Sequence, residues 1–223
     1  MKAFLLAAGE GRRLRPLTDS LPKCLVPIRG TPLLAIWLRL LEAHGITDVL
    51  VNVHHFHERI TDFLSSYQTP VVVKTVHEPR LLGSAGTVLA NRDFVATEES
   101  FLVLYADNLT AVDLRKMIAF HSGRSEALTL GVTPTDRPTE KGTVVTGSHG
   151  QVIEFAEKAA QPRSNLANAG IYVADQAVFE YLPRSLPAAG VLDFGYDVLP
   201  LLWPNLVVVI ILVGILSGAF TAT

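Results

Sequence analysis

Residues 5–28 read LLAAGEGRRLRPLTDSLPKCLVPI, and this stretch decides how the chain folds. It begins inside an apolar run, KAFLLAA at 2–8, which reads as a buried strand. The run stops at Gly9-Glu10-Gly11, and no helix can follow at once because Pro16, Pro22 and Pro27 interrupt the backbone pattern. Gly9 to Gly30 is therefore a long, mostly irregular loop, and loops of that length inside compact domains are usually functional. The glycines let backbone N–H groups approach a phosphate closely. Arg12, Arg13, Arg15 and Lys23 supply guanidinium forks and a point charge for phosphate oxygens. Such a loop can hold a triphosphate and neutralise the charge that develops in phosphoryl or nucleotidyl transfer. Two familiar phosphate loops are excluded. Leu14 stands where a G-x-G-x-x-G fingerprint needs glycine, and there is no Gly-Lys-Ser/Thr.

The cationic character is local. Residues 1–30 hold six basic groups against Glu10 and Asp19, a net +4, while the 223-residue chain carries −2, so the remainder carries −6. A basic loop on an acidic body suits a small anionic ligand, and the expectation is no nucleic-acid partner and no polybasic membrane contact. Hydrophobic residues at 49% and charged residues at 18% allow a substantial core. The single cysteine, Cys24, rules out an intrachain disulfide and favours a reducing, cytoplasmic setting. It reads as a small packing residue rather than a nucleophile. AFLLAA is too short an apolar run for a signal peptide.

Outward from the loop, β-rich runs alternate with helical patterns. Strands are expected at 48–53, 70–76, 101–106 and 127–132, and helices at 32–45, 57–67, 84–94 and 111–122. This alternation predicts an α/β fold, a doubly wound, mostly parallel sheet with helices on both faces. After residue 133 the pattern changes to strand-like pieces, TVVTG, QVIEFAEK and NAGIYVA, and then a helical stretch, DQAVFEYL at 175–182. No Gly/Ser-rich linker or internal repeat divides the chain.

The segment LAAGEGRRLRPLTDSLPKCLVPI resembles the signature of the sugar-1-phosphate nucleotidyltransferases, LAAG-x-G-x-R-L-x-P-L-T followed by P-K-x-L-x-P. The match covers about twenty positions at fixed spacing. It implies a three-layer, Rossmann-like nucleotide-diphospho-sugar transferase fold with a mixed, seven-stranded, mostly parallel sheet. By the same resemblance Arg13 is the catalytic arginine and Lys23 the phosphate-contacting lysine. Leu6, Ala8, Gly9 and Gly11 belong to the nucleotide site. Arg12 departs from the family, which usually has a small residue there.

Further pieces extend the likeness. FLVLYA ends in Asp107-Asn108, and a carboxylate just past a buried strand suits a divalent metal over phosphates. The family places a Mg²⁺-binding aspartate there, which implies Asp107. In EPRLLGSAGTVLA (78–90), Gly83, Ser84 and Gly86 open a helix whose backbone donors suit a base or phosphate. The stretch looks like the L-G-T-A-G segment commoner in the guanylyltransferases for mannose- or heptose-1-phosphate, and so implies GTP. FAEKAAQPRSNLANAGIYV (155–173) resembles the E-K-P and N-x-G-x-Y pieces, which gives Glu157, Lys158, Asn168 and Gly170 the sugar phosphate. The implied partners are an NTP and a sugar 1-phosphate. The rival readings are uridylyl transfer to an amino-sugar 1-phosphate and a non-catalytic nucleotide-sugar sensor.

Two stretches resist this reading. His54, His55 and His57 in VNVHHFHERI tempt a metal site, but adjacent strand residues point to opposite faces and no Cys or Asp completes a set. The likeness runs from residue 1 to about 200, through DFGYDVLP at 193–200, which divides the chain into a nucleotidyltransferase domain at 1–203 and an atypical apolar tail at 204–223. No Asp or Glu follows Asp197, whereas the family continues to a D-x-G-T segment with a second metal-binding aspartate. LVVVIILVGILSGAF (206–220) is short of the roughly 20 residues that span a bilayer. A buried strand, a membrane anchor and a truncated or frame-shifted ending are the three readings of this tail.

Overall fold

The computed structural model describes residues 1–187 and 190–203, together with the backbone of 206–211 and 216–217. Nine strands form one mixed sheet. They are β1 (Lys2–Leu6), β2 (Asp48–Val53), β3 (Val72–His77), β4 (Ser100–Tyr105), β5 (Leu128–Pro134), β6 (Gly142–Thr146), β7 (Val152–Glu157), β8 (Leu166–Asp175) and β9 (Leu206–Ile211). The continuous path runs β7-β6-β8-β4-β1-β2-β3. The sheet observed, with nine strands, is larger than the seven-stranded one the resemblance implies. The sheet exceeds it because β8 is long enough to take β5 as a further partner, and β9 then pairs with β5.

Strands β3, β2, β1 and β4 are parallel, while β8 lies antiparallel to β4, β5 and β6. The alternation of side chains along each strand separates two cores. Ala3, Leu5, Val49, Val51, Leu102 and Leu104 face one layer of helices, α1 (Leu33–Ala43), α2 (His57–Ser66) and α4 (Leu114–Ser122). Phe4, Leu50, Phe101 and Val103 face α3 (Ser84–Ala90) and the helical turns at 194–202. The chain is thus a three-layer α/β fold. Each fully buried Leu, Val or Phe contributes about 1.5–3 kcal/mol relative to exposure, so these two faces hold the sheet between its layers.

Local chemistry explains the element ends. Pro32 precedes α1, and Gly45, at φ 76, follows it in the left-handed region where glycine is unstrained. Asp113 caps α4 by accepting from Lys116 N at 3.1 Å. The expected helix at 175–182 is a tighter 3-10 segment, Gln176–Tyr181, short and closed by Pro183. Its Gln176 amide donates to the carbonyls of Val95 and Glu98, an anchor that tertiary packing supplies rather than helical periodicity.

The register carries the functional consequence. Leu6, the last residue of β1, lies beside Asn52 of β2 on one side and Tyr105 of β4 on the other. Three strands therefore end together at the carboxyl edge, where α/β sheets bind ligands. Trp37 of α1, fully buried, donates its indole N–H to Asn108 O at 2.9 Å and fixes the segment leaving β4.

The backbone of 206–211 runs parallel to β5, from Leu206 opposite Leu128 to Ile211 opposite Val132. The tail therefore contributes a strand over those six residues. Among the described residues no helix is long and apolar enough to cross a membrane.

Candidate active site

Two cavities open at the carboxyl edge, of about 230 and 310 Å³. They share Tyr105 and Asp107. The first takes in Leu6, Ala8, Gly9, Lys23, Gly83 and Ser84, and the second Arg13, Glu157, Lys158, Asn168 and Gly170. Gly11 lines neither. Its carbonyl accepts from Leu14 N at 2.8 Å and from Thr18 Oγ1 at 2.9 Å. At φ 67, a side chain there would come within 2.9 Å of Thr18 and 3.1 Å of Lys23 Cβ. Gly11 folds the loop tightly enough to bring Lys23 and Arg13 to the cavities.

The loop consists of three short 3-10 turns, at 12–14, 17–19 and 23–25. Its middle is tied to α2 by Arg59, whose guanidinium donates to Ser20 O. Arg12 pairs with Glu10, and that guanidinium holds the Glu10 carboxyl below the usual range. Arg12 lines neither cavity, while Arg13 lines the second. Lys23 Nζ lies 2.5 Å from Asp107 Oδ2.

The first cavity is braced by a buried polar network. Asn52 Oδ1 accepts from Ala7 N at 2.7 Å, and its amide donates to Glu78 Oε1 at 2.9 Å and Thr87 Oγ1 at 3.0 Å. Glu78 also accepts from Thr87 Oγ1 and from Leu82 N. Strand β1, strand β2 and α3 are thus locked together below the cavity floor, where an unpaired group would cost about 1–3 kcal/mol. The start of α3 offers less than its sequence promises, because Gly86 N is already donated to Leu192 O at 2.9 Å. Gly83, at φ 80, packs so closely that an added Cβ would lie 2.4 Å from Leu192 O. Ser84 Oγ donates to Asp193 Oδ2 at 2.8 Å and accepts from Phe194 N.

The second cavity forms where β8 breaks its pairing. Its register with β5 shifts between Asn168 and Tyr172, and Gly170 sits in the bulge at φ 64. Asn168 Oδ1 accepts from Gly170 N, and its amide donates to Tyr172 Oη at 2.8 Å. Asn108 Nδ2 donates to Ala169 O and joins the bulge to the segment after β4. Glu157 is wedged between Gly142 and Gly195, each leaving no room for a Cβ beside its Oε2. Burial pushes its carboxyl above the usual range, and Lys158, 4.0 Å away, opposes the shift. Lys158 stands over the Tyr196 ring at 5.1 Å. Between the cavities, burial and the neighbouring Tyr172 phenol push Tyr105 well above its usual range, so Tyr105 presents a protonated hydroxyl.

Several lining residues have no role assigned from the sequence: Asn52, Glu78, Tyr105, Lys141, Asp193 and Tyr196, of which Glu78, Tyr105, Asp193 and Tyr196 lie within EPRLLGSAGTVLA, FLVLYA and DFGYDVLP. Asn52 alone left a local signal, a polar residue near the end of the apolar run DVLVNV. His54 Nδ1 lies 2.7 Å from Glu78 O and His57 stacks on His77 at 4.0 Å. Among the described residues no three His, Cys, Asp or Glu side chains could jointly hold a metal.

A profile of the nucleotidyl transferase family matches residues 2–210. The chain belongs to the sugar-1-phosphate nucleotidyltransferase family. It is 32% identical over 215 residues to the UTP–glucose-1-phosphate uridylyltransferase of Synechocystis, covering 90% of this chain and 54% of that protein. It is 34% identical to mannose-1-phosphate guanylyltransferase 1 of Arabidopsis thaliana, covering 81% of this chain and 51% of that one. The chain spans about half the length of these two relatives. A solved structure of a candidate glucose-1-phosphate thymidylyltransferase from Bacillus anthracis superposes with a TM-score of 0.84 at 27% identity, covering 94% of this chain and 86% of that one. The family fold thus extends over both cavities.

Proposed function

We propose that this family member joins an NTP, with GTP favoured, to a sugar 1-phosphate, giving a nucleotide-diphospho-sugar and pyrophosphate. The observation that carries the reading is the shared wall. A cavity floored by the glycine loop and a cavity lined by Glu157, Lys158, Asn168 and Gly170 meet at Asp107, with Lys23 and Arg13 beside it. Nucleotidyl transfer needs this layout, with two phosphates from different substrates held in line at one point.

A phosphate oxygen of the sugar 1-phosphate attacks the α-phosphorus, and the bond to the β-phosphate oxygen breaks as pyrophosphate leaves. No protein nucleophile is required, and Cys24, buried with its thiol pushed up to about 12, offers none. Lys23 holds the α-phosphate, and Arg13, which lines the second cavity where it shares Asp107 with the first, takes charge on the pyrophosphate side. Glu157 accepts from sugar hydroxyls, Lys158 holds the sugar phosphate, and the bulge at Asn168–Gly170 shapes that pocket. Asp107 fits a Mg²⁺ ion that arrives with phosphates. Its carboxylate faces both cavities, takes one protein hydrogen bond at Oδ2, and offers the hard oxygen that ion prefers. Bound there, the ion would neutralise phosphate charge.

GTP is favoured by the likeness of the Gly83–Gly86 segment to the guanylyl version. Uridylyl transfer is the second reading, supported by the likeness to the Synechocystis protein. Pyrophosphate release should be measured with GTP, UTP, CTP and dTTP against mannose, glucose and N-acetylglucosamine 1-phosphates. Release that requires both substrates and is fastest with GTP is expected. UTP ranking first would overturn the guanylyl choice, and nucleotide binding with no release from any pair would favour a sensor.

A further inference from the structure

Lys141 immediately precedes β6 and lines the second cavity, yet among the described residues its side chain has neither a hydrogen bond nor a close ion pair. It is half-buried, among the charges of Arg13, Lys23 and Asp107. Its backbone carbonyl accepts from Lys158 N at 3.0 Å, so the two lysines are neighbours across the β6–β7 ribbon. Their side chains have different surroundings. Lys158 is half exposed and engaged with Tyr196 and Glu157, whereas Lys141 is directed toward the junction where Arg13, Lys23 and Asp107 meet.

We propose that Lys141 is a fourth phosphate-binding cation of this site, and that it contacts the phosphate of the sugar 1-phosphate next to the point of transfer. The inference rests on the transferase reading above. Lys141 lies on the wall of the sugar-phosphate cavity and not on that of the first cavity. Desolvation and the repulsion of Arg13 and Lys23 burden its charge, and Asp107 and Glu140 offset that only in part. A phosphate placed among these cations relieves that burden. Lys158 then holds the sugar phosphate from the side of Tyr196, and Lys141 holds it from the side of Asp107.

The test compares Lys141→Met and Lys141→Arg with the parent chain. Calorimetric titration with glucose 1-phosphate and mannose 1-phosphate reads affinity, NTP titration reads the other cavity, and thermal melting reads the fold. Loss of one charge-assisted contact should weaken sugar-phosphate binding roughly 10- to 100-fold in Lys141→Met. NTP affinity should stay within about twofold and the arginine variant should recover most of the loss. Lys141→Met should also melt no lower than the parent, because a half-buried charge that its carboxylate neighbours offset only in part is gone; a residue holding the fold would do the reverse. Parent-like sugar-phosphate affinity in a folded Lys141→Met, with turnover intact, overturns this inference and leaves the transferase reading standing. Failure of the parent to bind either sugar phosphate overturns both.

Discussion

Lys23 Nζ and Asp107 Oδ2 are 2.5 Å apart although 84 positions separate them in sequence. The pair joins the glycine loop to the end of β4 and sits between the two cavities. Its exposure is uneven, 12% for the lysine side chain and 38% for the aspartate. Lys23→Ala frees a carboxylate that water can reach, so the fold should lose little. Turnover should fall on the order of 10²- to 10³-fold, the usual scale for removing one donor to developing charge. Asp107→Ala should do more harm to stability, about 1–3 kcal/mol, because it leaves a mostly buried ammonium unpaired. Steady-state kinetics with urea melts of both variants separate the two effects, and a parent-like rate in Lys23→Ala would remove that residue from the mechanism.

Glu157 gives the site an acid limb. Burial raises its carboxyl pKa, so the fold favours the neutral form. Its stability contribution is present below the ordinary value of 4.5 and is lost as pH rises through the raised value; acidification therefore does not unfold the chain through this residue. The ionised form accepts from sugar hydroxyls more strongly than the neutral acid does. The affinity gap between the parent and Glu157→Gln for glucose 1-phosphate should shrink as pH falls through the raised value. The ratio cancels titration of the ligand's own phosphate. A gap constant from pH 5 to 8 would mean that the carboxylate charge is not what the sugar meets.

The glycine loop, the alternating strands and the helices were legible because each rests on local chemistry. DVLVNV is a strand over the residues its pattern marks, 48–53, and the prolines do keep 9–30 irregular. The resemblance brought Asp107, Lys158 and Gly170 to the same edge of the sheet. What the sequence left unreadable is convergence. Lys141, before β6, and Tyr196, in the turn after Asp193, are 55 positions apart in sequence and meet only in the folded chain, on the wall of one cavity. Gly11 shows the opposite case, a motif glycine whose work is to fold the loop rather than to touch a cavity.

Gly170 is a sharper test of the bulge. At φ 64, an added Cβ would lie 2.8 Å from Tyr105 Cγ and 3.1 Å from Asn108 Nδ2. Gly170→Ala should cost about 1–2 kcal/mol in backbone strain and about 1–3 kcal/mol in overpacking. Urea denaturation should show the loss, and KM for the sugar phosphate should rise more than KM for the NTP. Equal rises would indicate that the two cavities deform together.

Cys24 should be inert in the native chain. It is 2% exposed and burial pushes its thiol up to about 12. At pH 8 its thiolate fraction is then about a thousandfold below that of a free cysteine. Iodoacetamide should label it only after denaturation. Rapid labelling of the folded protein would show that the loop opens.

The tail supplies the last prediction. The backbone of 206–211 hydrogen-bonds in parallel to β5, whose Leu128, Leu130 and Val132 are core residues. The other side of β5 is already paired with β8. Deleting residues 204–223 would therefore leave one side of β5 with unpaired N–H and C=O groups, an edge that invites pairing with another chain. The run LVVVIILV is itself uncharged and free of proline, the pattern of an aggregating segment when it is not paired. Two opposite tendencies thus meet in one strand, and the pairing with β5 decides between them. The truncated chain should express with lower soluble yield, melt at a lower temperature and form concentration-dependent oligomers in sedimentation. A higher soluble yield with an unchanged melting temperature would show that β5 does not need this partner and that the apolar run is a burden to the chain.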